Sequence, residues 1–244
     1  MKALLLSFII VGLFVAACPS ATESTNGKQK IKWKTSHRSN IKEPSDLALS
    51  ADGQSFFIVS DDGILYEADL KGIIKRKAAY EATDFEACYA TSEKVMVVDE
   101  RTRLVHTYAL PNLDRISSKE VTYFGGRNKG FESLTFNPTK GRFVMITEKD
   151  PTIVFELNEQ LEVLDQVTIN IGSDISAATF YKDYLYVLSD EAHTIFQLDP
   201  KTYAVIKQWE LNIINPEGIA FMPDGQVAVV SDDAGIIYYF DALN

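Results

Sequence analysis

Apolar and polar residues along this chain fall into short blocks that recur in a fixed order. SDLALSADGQSFFIVSDDGILYEADLKG, from Ser45, reads apolar run, turn, apolar run, acidic loop, apolar run. The same order returns in FEACYATSEKVMVVDERTRLVHTYAL from Phe85, FESLTFNPTKGRFVMITEKDPTIVFELN from Phe131, ISAATFYKDYLYVLSDEAHTIFQLDP from Ile175 and PEGIAFMPDGQVAVVSDDAGIIYYFD from Pro216. The runs are short and rich in Val, Ile, Phe and Tyr, and the turns between them carry Asp-Gly, Lys-Gly or Lys-Asp. These are strand and hairpin signals. No segment sustains a helical period. The first four copies continue into a fourth segment, and the copies start 40, 46, 44 and 41 residues apart. Four strands per repeat at that interval predict an all-β chain, a five-bladed β-propeller with about 43 residues per blade. A plain β-sandwich has strands of this kind but does not repeat at this interval.

The fifth copy runs out of chain after IIYYFDALN, with three strands. KIKWKTS, residues 30 to 36, can supply the fourth. A strand from the N-terminus would then close the last blade and remove two exposed sheet edges. The propeller is thus expected over 30–244.

Ahead of it, MKALLLSFIIVGLFVAAC has one lysine, a run apolar but for Ser7 and two alanines before Cys18. That is the layout of a secretory signal, here over 1–17, and the run is too short for a spanning helix. Val15-Ala16-Ala17-Cys18 also resembles the bacterial lipobox, which implies lipidation of Cys18; the plainer reading is an ordinary signal peptide with an incidental cysteine. Pro19 after the cysteine matches outer-membrane sorting in Gram-negative bacteria. The expected location is therefore the cell envelope, lipid-anchored in the outer membrane and facing the periplasm. Residues 18–29, small and polar, read as a flexible tether. Cys88, in the apolar stretch EACYA, reads as a buried inert thiol.

The net charge of −10 argues against nucleic acid as a partner. Three histidines and two cysteines are too few for a zinc cluster. The acids, however, are patterned. In an antiparallel pair, the start of the first strand and the end of the second share one edge. Acids at the first position are Asp46, Glu86, Glu132 and Glu217, with Ser176 in blade 4. Acids at the second are Asp61, Glu100, Glu148, Asp190 and Asp232. All are expected around one mouth of the central channel. Two like charges ~5.5 Å apart repel by about 3 kcal/mol at an effective dielectric of 20. Either some of these acids hold protons, or a cation sits among them. A hard cation with oxygen ligands suits the set, and calcium tolerates irregular geometry better than magnesium. Asp61 and Asp232, beside further turn acids, also read as plain solvated strand ends.

An acid and a short strand followed by a Ser-Asp-Asp or Thr-Glu-Lys loop, and above all NKGFESLTFNP and ITEKDP, resemble the SdiA-regulated family. These bacterial five-bladed propellers are distantly similar to NHL-repeat proteins. The resemblance covers residues 40 to 244. It implies a bound calcium ion and no established enzymatic activity, and NHL relatives mediate protein contacts. Carried onto this chain, it makes Glu86, Glu132, Glu148 and Glu217 calcium ligands, and Glu100 and Asp190 complete the candidate metal set. Ser176 interrupts the ring, so an ion displaced toward blades 2 and 3 is expected.

The function so implied is a calcium-binding envelope lipoprotein, a binding or scaffold module for a protein or small-molecule partner. The alternative is a calcium-dependent hydrolase: a phosphoesterase, lactonase or glycosidase using the acidic mouth. A phosphoesterase would aim basic side chains at phosphate, and Arg101, Arg103, Arg127, Lys129 and Lys149 lie in segments that could serve. His193 is the candidate general base, whereas His37 and His106 read as structural. For each of these arginines and lysines, and for His193, the plainer reading, a solvated loop residue, ranks ahead.

Overall fold

The computed structural model describes residues 27–123 and 130–244. The signal peptide, Cys18, most of the tether, Arg127 and Lys129 lie outside the described residues. Among the described residues no helix is long and apolar enough to cross a membrane.

Two strands, β1 (Gln29–Lys30) and β2 (Trp33–Arg38), precede the first blade. Blade 1 is β3 (Pro44–Leu49), β4 (Ser55–Ser60), β5 (Ile64–Asp69) and β6 (Ile74–Lys77). Blade 2 is β7 (Phe85–Ala90), β8 (Lys94–Asp99), β9 (Leu104–Ala109) and β10 (Asp114–Glu120). Blade 3 is β11 (Phe131–Asn137), β12 (Arg142–Thr147), β13 (Ile153–Leu157) and β14 (Val163–Thr168). Blade 4 is β15 (Ala177–Tyr181), β16 (Tyr184–Ser189), β17 (Thr194–Leu198) and β18 (Val205–Glu210). Blade 5 is β19 (Pro216–Phe221), β20 (Val227–Ser231) and β21 (Ile236–Phe240). Its fourth strand is β2, which pairs antiparallel with β21 from Trp33↔Phe240 to Arg38↔Ile236. The N-terminal strand closes the ring as the pattern predicts, two or three residues later in the chain than KIKWKTS. The first strands β3, β7, β11, β15 and β19 pack on one another in a closed circle, so they line the channel of a five-bladed propeller.

The middle strands are apolar throughout because both faces of each blade are covered. In β8, Val95 and Val97 pack toward blade 1, while Met96 and Val98 pack toward blade 3. β4 splits likewise, Phe56 and Ile58 toward blade 5 and Phe57 and Val59 toward blade 2. Each of the five blade interfaces carries one such cluster, including the one between blades 5 and 1 that the closing strand completes. The outermost strands are mostly exposed, β10 at every residue, although Trp209 of β18 is buried.

Gln29, expected in the tether, joins Lys30 in a strand. They add a fifth, parallel strand to blade 4, with Gln29 opposite Trp209 and Lys30 opposite Glu210. Ile31 N–H also donates to the Glu210 carbonyl at 3.0 Å. The N-terminal segment is therefore fastened to two blades. Composition alone could not reveal this, since backbone pairing at an open edge asks nothing of the side chains.

Candidate functional site

The first two strands of four blades share one irregularity where they leave the channel mouth. In blade 2 the pairing passes from Phe85↔Asp99 to Ala87↔Val98, which leaves Glu86 unpaired in a β-bulge. Glu132 is bulged in the same way between Phe131 and Ser133, and Glu217 between Pro216 and Gly218. A bulge takes one residue out of the alternation and re-aims its side chain. Three glutamates from three blades thereby come within electrostatic reach of one another.

In blade 1 the bulged residue is Ser45, not Asp46, because the pairing runs from Pro44↔Ser60 to Asp46↔Val59. Aligning the copies at Ser45 and Phe85 therefore misplaces Asp46 by one residue. Ser45 stands at the mouth and donates to Asp61 Oδ1 at 2.5 Å. Asp46 lies one step deeper, 3 % exposed, and its Oδ2 accepts the N–H of Cys88 at 2.9 Å. Ser176, at the mouth in blade 4, donates to the carbonyl of Pro216 at 2.9 Å. The mouth row is thus three glutamates and two serines.

Asp84, Glu86 and Glu100 converge, with one carboxylate oxygen from each lying within 4.8 Å of the others. All three belong to blade 2: the loop before β7, the bulge of β7 and the residue after β8. Glu100 is 8 % exposed, and its Oε1 accepts the N–H of Gly130 at 2.7 Å. Gly130 is needed there, since a Cβ would come 2.3 Å from Glu100 Cγ. Asp84 is paired with Arg101 at 2.9 Å. Asp84 was missed in the sequence reading, although it directly precedes the first strand of its blade, as Asp174 does in blade 4.

The remaining acids sort around this trio. Glu148 pairs with Lys149 at 2.9 Å and acts electrostatically on Glu100 and Glu132. Asp190 hydrogen-bonds to Asp174 across blade 4 and stands electrostatically next to Glu217. Ser189 and Ser173 donate to Asp174 Oδ1 at 2.5 and 2.9 Å. Burial works against ionising Asp174, but the hydrogen bonds from Asp190, Ser189 and Ser173 outweigh it and hold the group below its ordinary value. Burial and the Asp174 contact lift Asp190 to about 7.

Burial, then repulsion from neighbouring carboxylates, drives Glu86 and Glu132 well above the ordinary range. The same causes raise Glu217 to about 8 and Asp232 to about 6. Burial also raises Asp84 and Glu100, against the pull of Arg101 on the one and of the Gly130 N–H on the other. Carboxyls in this state take up protons or a cation. The donors around the trio are hard oxygens, which suit calcium or magnesium and not a soft metal. The residues present fit such an ion.

Of the described groups weighed for hydrolysis, Arg101 stands at the trio through its pair with Asp84. His193 Nδ1 lies 3.0 Å from the carbonyl of Ile213, and Lys149 bridges Glu148 and Glu191. His106 is buried beside Asp99, and His37 lies within β2. Cys88 is buried, and burial pushes its thiol up, as for an inert side chain.

Comparison with known proteins agrees with the architecture. Myxococcus xanthus glutaminyl cyclase has a similar structure, with a TM-score of 0.69 over 88% of this chain and 100% of that one, at 14% identity. The β-propeller domain of Myceliophteria thermophila Cps50 (Swd1) matches with a TM-score of 0.57 over 86% of this chain and 99% of that one, at 8% identity. At such identities the likeness shows the fold alone. No curated protein matches the chain in sequence. The family model described as SdiA-regulated matches residues 24–241, almost the whole propeller, and the chain therefore belongs to the SdiA-regulated family.

Proposed function

We propose that the protein is an envelope lipoprotein whose propeller holds a calcium ion at the channel mouth and serves as a binding or scaffold module. The observation that carries this reading is the convergence of Asp84, Glu86 and Glu100 within 4.8 Å, next to Glu132 and Glu217. A cation there would neutralise the mouth, fix its loops and offer a coordination position to an oxygen of a protein or small-molecule partner. Val15-Ala16-Ala17-Cys18 supports the lipid anchor. The hydrolase reading has less behind it, since Lys149 bridges Glu148 and Glu191 and His193, the candidate base, faces the carbonyl of Ile213. Thermal unfolding in chelator and in excess calcium tests the ion. A ligand present at a hundred times its Kd stabilises the folded state by about 2.7 kcal/mol. Calcium should raise the melting temperature of the wild type and leave that of Glu86→Gln nearly unmoved. An equal rise in both proteins would put the ion elsewhere. Pull-down from envelope extract with and without chelator then tests for a calcium-dependent partner.

A further inference from the structure

The channel does not end at the acidic mouth. On the other side of Asp46 lies a chamber of about 170 Å³ that runs along the first strands toward the far face of the disc. That is room for several waters or one small organic molecule. Its surface mixes polar and apolar atoms, with Leu49, Tyr89, Phe180 and Tyr181 among the lining residues, and Asp46 stands at the mouth-side end.

The position of Asp46 is unusual within its own row. The residues in register with it in the other blades are Ala87, Ser133, Ala177 and Gly218, all small and uncharged. Gly218 makes room for it: a Cβ there would come 2.7 Å from Asp46 Cα and 2.9 Å from Oδ1. The chain instead keeps a carboxyl, 3 % exposed, which accepts the N–H groups of Cys88, Leu47 and Ile219 and also meets the Cys88 thiol. None of the ion pairs among the described residues involves it. A buried carboxylate is costly unless a cation and hydrogen bonds compensate it.

We propose that this chamber binds a small organic cation, a primary ammonium on a short alkyl chain, with its charge against Asp46 and its carbons against the leucine and aromatic walls. An ammonium offers three donors to the carboxylate, and aromatic faces attract a cation at short range. Burial, against the pull of the surrounding N–H groups, raises Asp46 to about 8, so a bound ammonium would also favour its ionised form. The site is separate from the calcium proposed at the mouth and does not depend on it.

Isothermal titration with n-butylammonium, and with 1-butanol as the uncharged analogue, tests the assignment on the whole folded propeller. The variants are Asp46→Asn, which removes the charge, and Ala90→Phe, which fills the chamber from β7. Butylammonium should bind wild type saturably, with the same affinity in chelator and in calcium. Both variants should bind it at least about tenfold more weakly, and wild type should bind butanol at least about tenfold more weakly than butylammonium. Absence of saturable butylammonium binding would overturn the proposal. So would affinity unchanged by Ala90→Phe, or butanol binding as well as the amine. Should Asp46→Asn fail to fold, Ala90→Phe and the butanol comparison decide alone.

Discussion

Glu86 and Glu148 both belong to the acidic mouth, yet their surroundings differ. Glu86 sits in a bulge with Asp84 and Glu100, while Glu148 is neutralised by Lys149. Glu86→Gln and Glu100→Gln should each weaken calcium binding by at least about tenfold, roughly the effect of losing a charge-assisted contact. Glu148→Gln should weaken it less, and calcium titration of the three variants checks that order. The pH dependence follows from the same carboxyls. Glu217, Asp190 and Asp232 have folded-state values raised to about 8, 7 and 6. The folded protein therefore holds protons that the unfolded chain releases, and stability falls as pH rises between the ordinary carboxylate range and about 8. In chelator, the melting temperature should climb as pH drops from 8 to about 5.5. Calcium competes with those protons, so its stabilising effect should shrink over the same interval. A melting temperature in chelator that rises with pH would show the acids are not strained by burial.

At the scale of elements, the periodicity made the five blades legible. Runs such as VMVVD and FVMIT are apolar on both faces because each middle strand is sandwiched between neighbouring blades, and that length and spacing cannot serve a helix. The closing strand was legible because blade 5 lacked a partner for β21. The bulges were not, since a single unpaired residue leaves no periodic trace; hence Asp46 was placed where Ser45 stands. Asp84 was overlooked because its role depends on a loop that folds back over Glu100, whose N–H donates to the Asp84 carbonyl at 3.0 Å. Two changes test elements rather than ligands. Removing Trp33–Arg38 strips the outer strand from blade 5 and should lower the melting temperature by well over 4 °C, the shift of about 1 kcal/mol in a domain of this size. Unaltered melting would mean that β2 does not close the ring in solution. Gly130→Ala, by contrast, should displace Glu100 and weaken calcium binding with little loss of fold; unchanged calcium affinity would detach Gly130 from the site.

For the whole molecule, the proposed arrangement is a disc tied to a membrane through Cys18, with its acidic mouth held open to a partner. Cys18→Ala should move the protein from the membrane to the soluble fraction of the envelope, or leave it uncleaved, as blotting of the fractions will report. A variant that stays with the membrane as wild type does would remove the anchor from the account. The acidic mouth itself draws on all the blades: trio acids from blade 2, Glu132 from blade 3 and Glu217 from blade 5, with serines from blades 1 and 4. Its charge needs a closed ring, because carboxylates this far apart in sequence meet only when the first strands form a circle. The central claim is that this mouth binds calcium. Isothermal titration of calcium into metal-stripped protein measures it directly. The account predicts one saturable site at neutral pH, lost or greatly weakened in Glu86→Gln. Metal-free protein that takes up no calcium, or that binds it as well after Glu86→Gln, would contradict it.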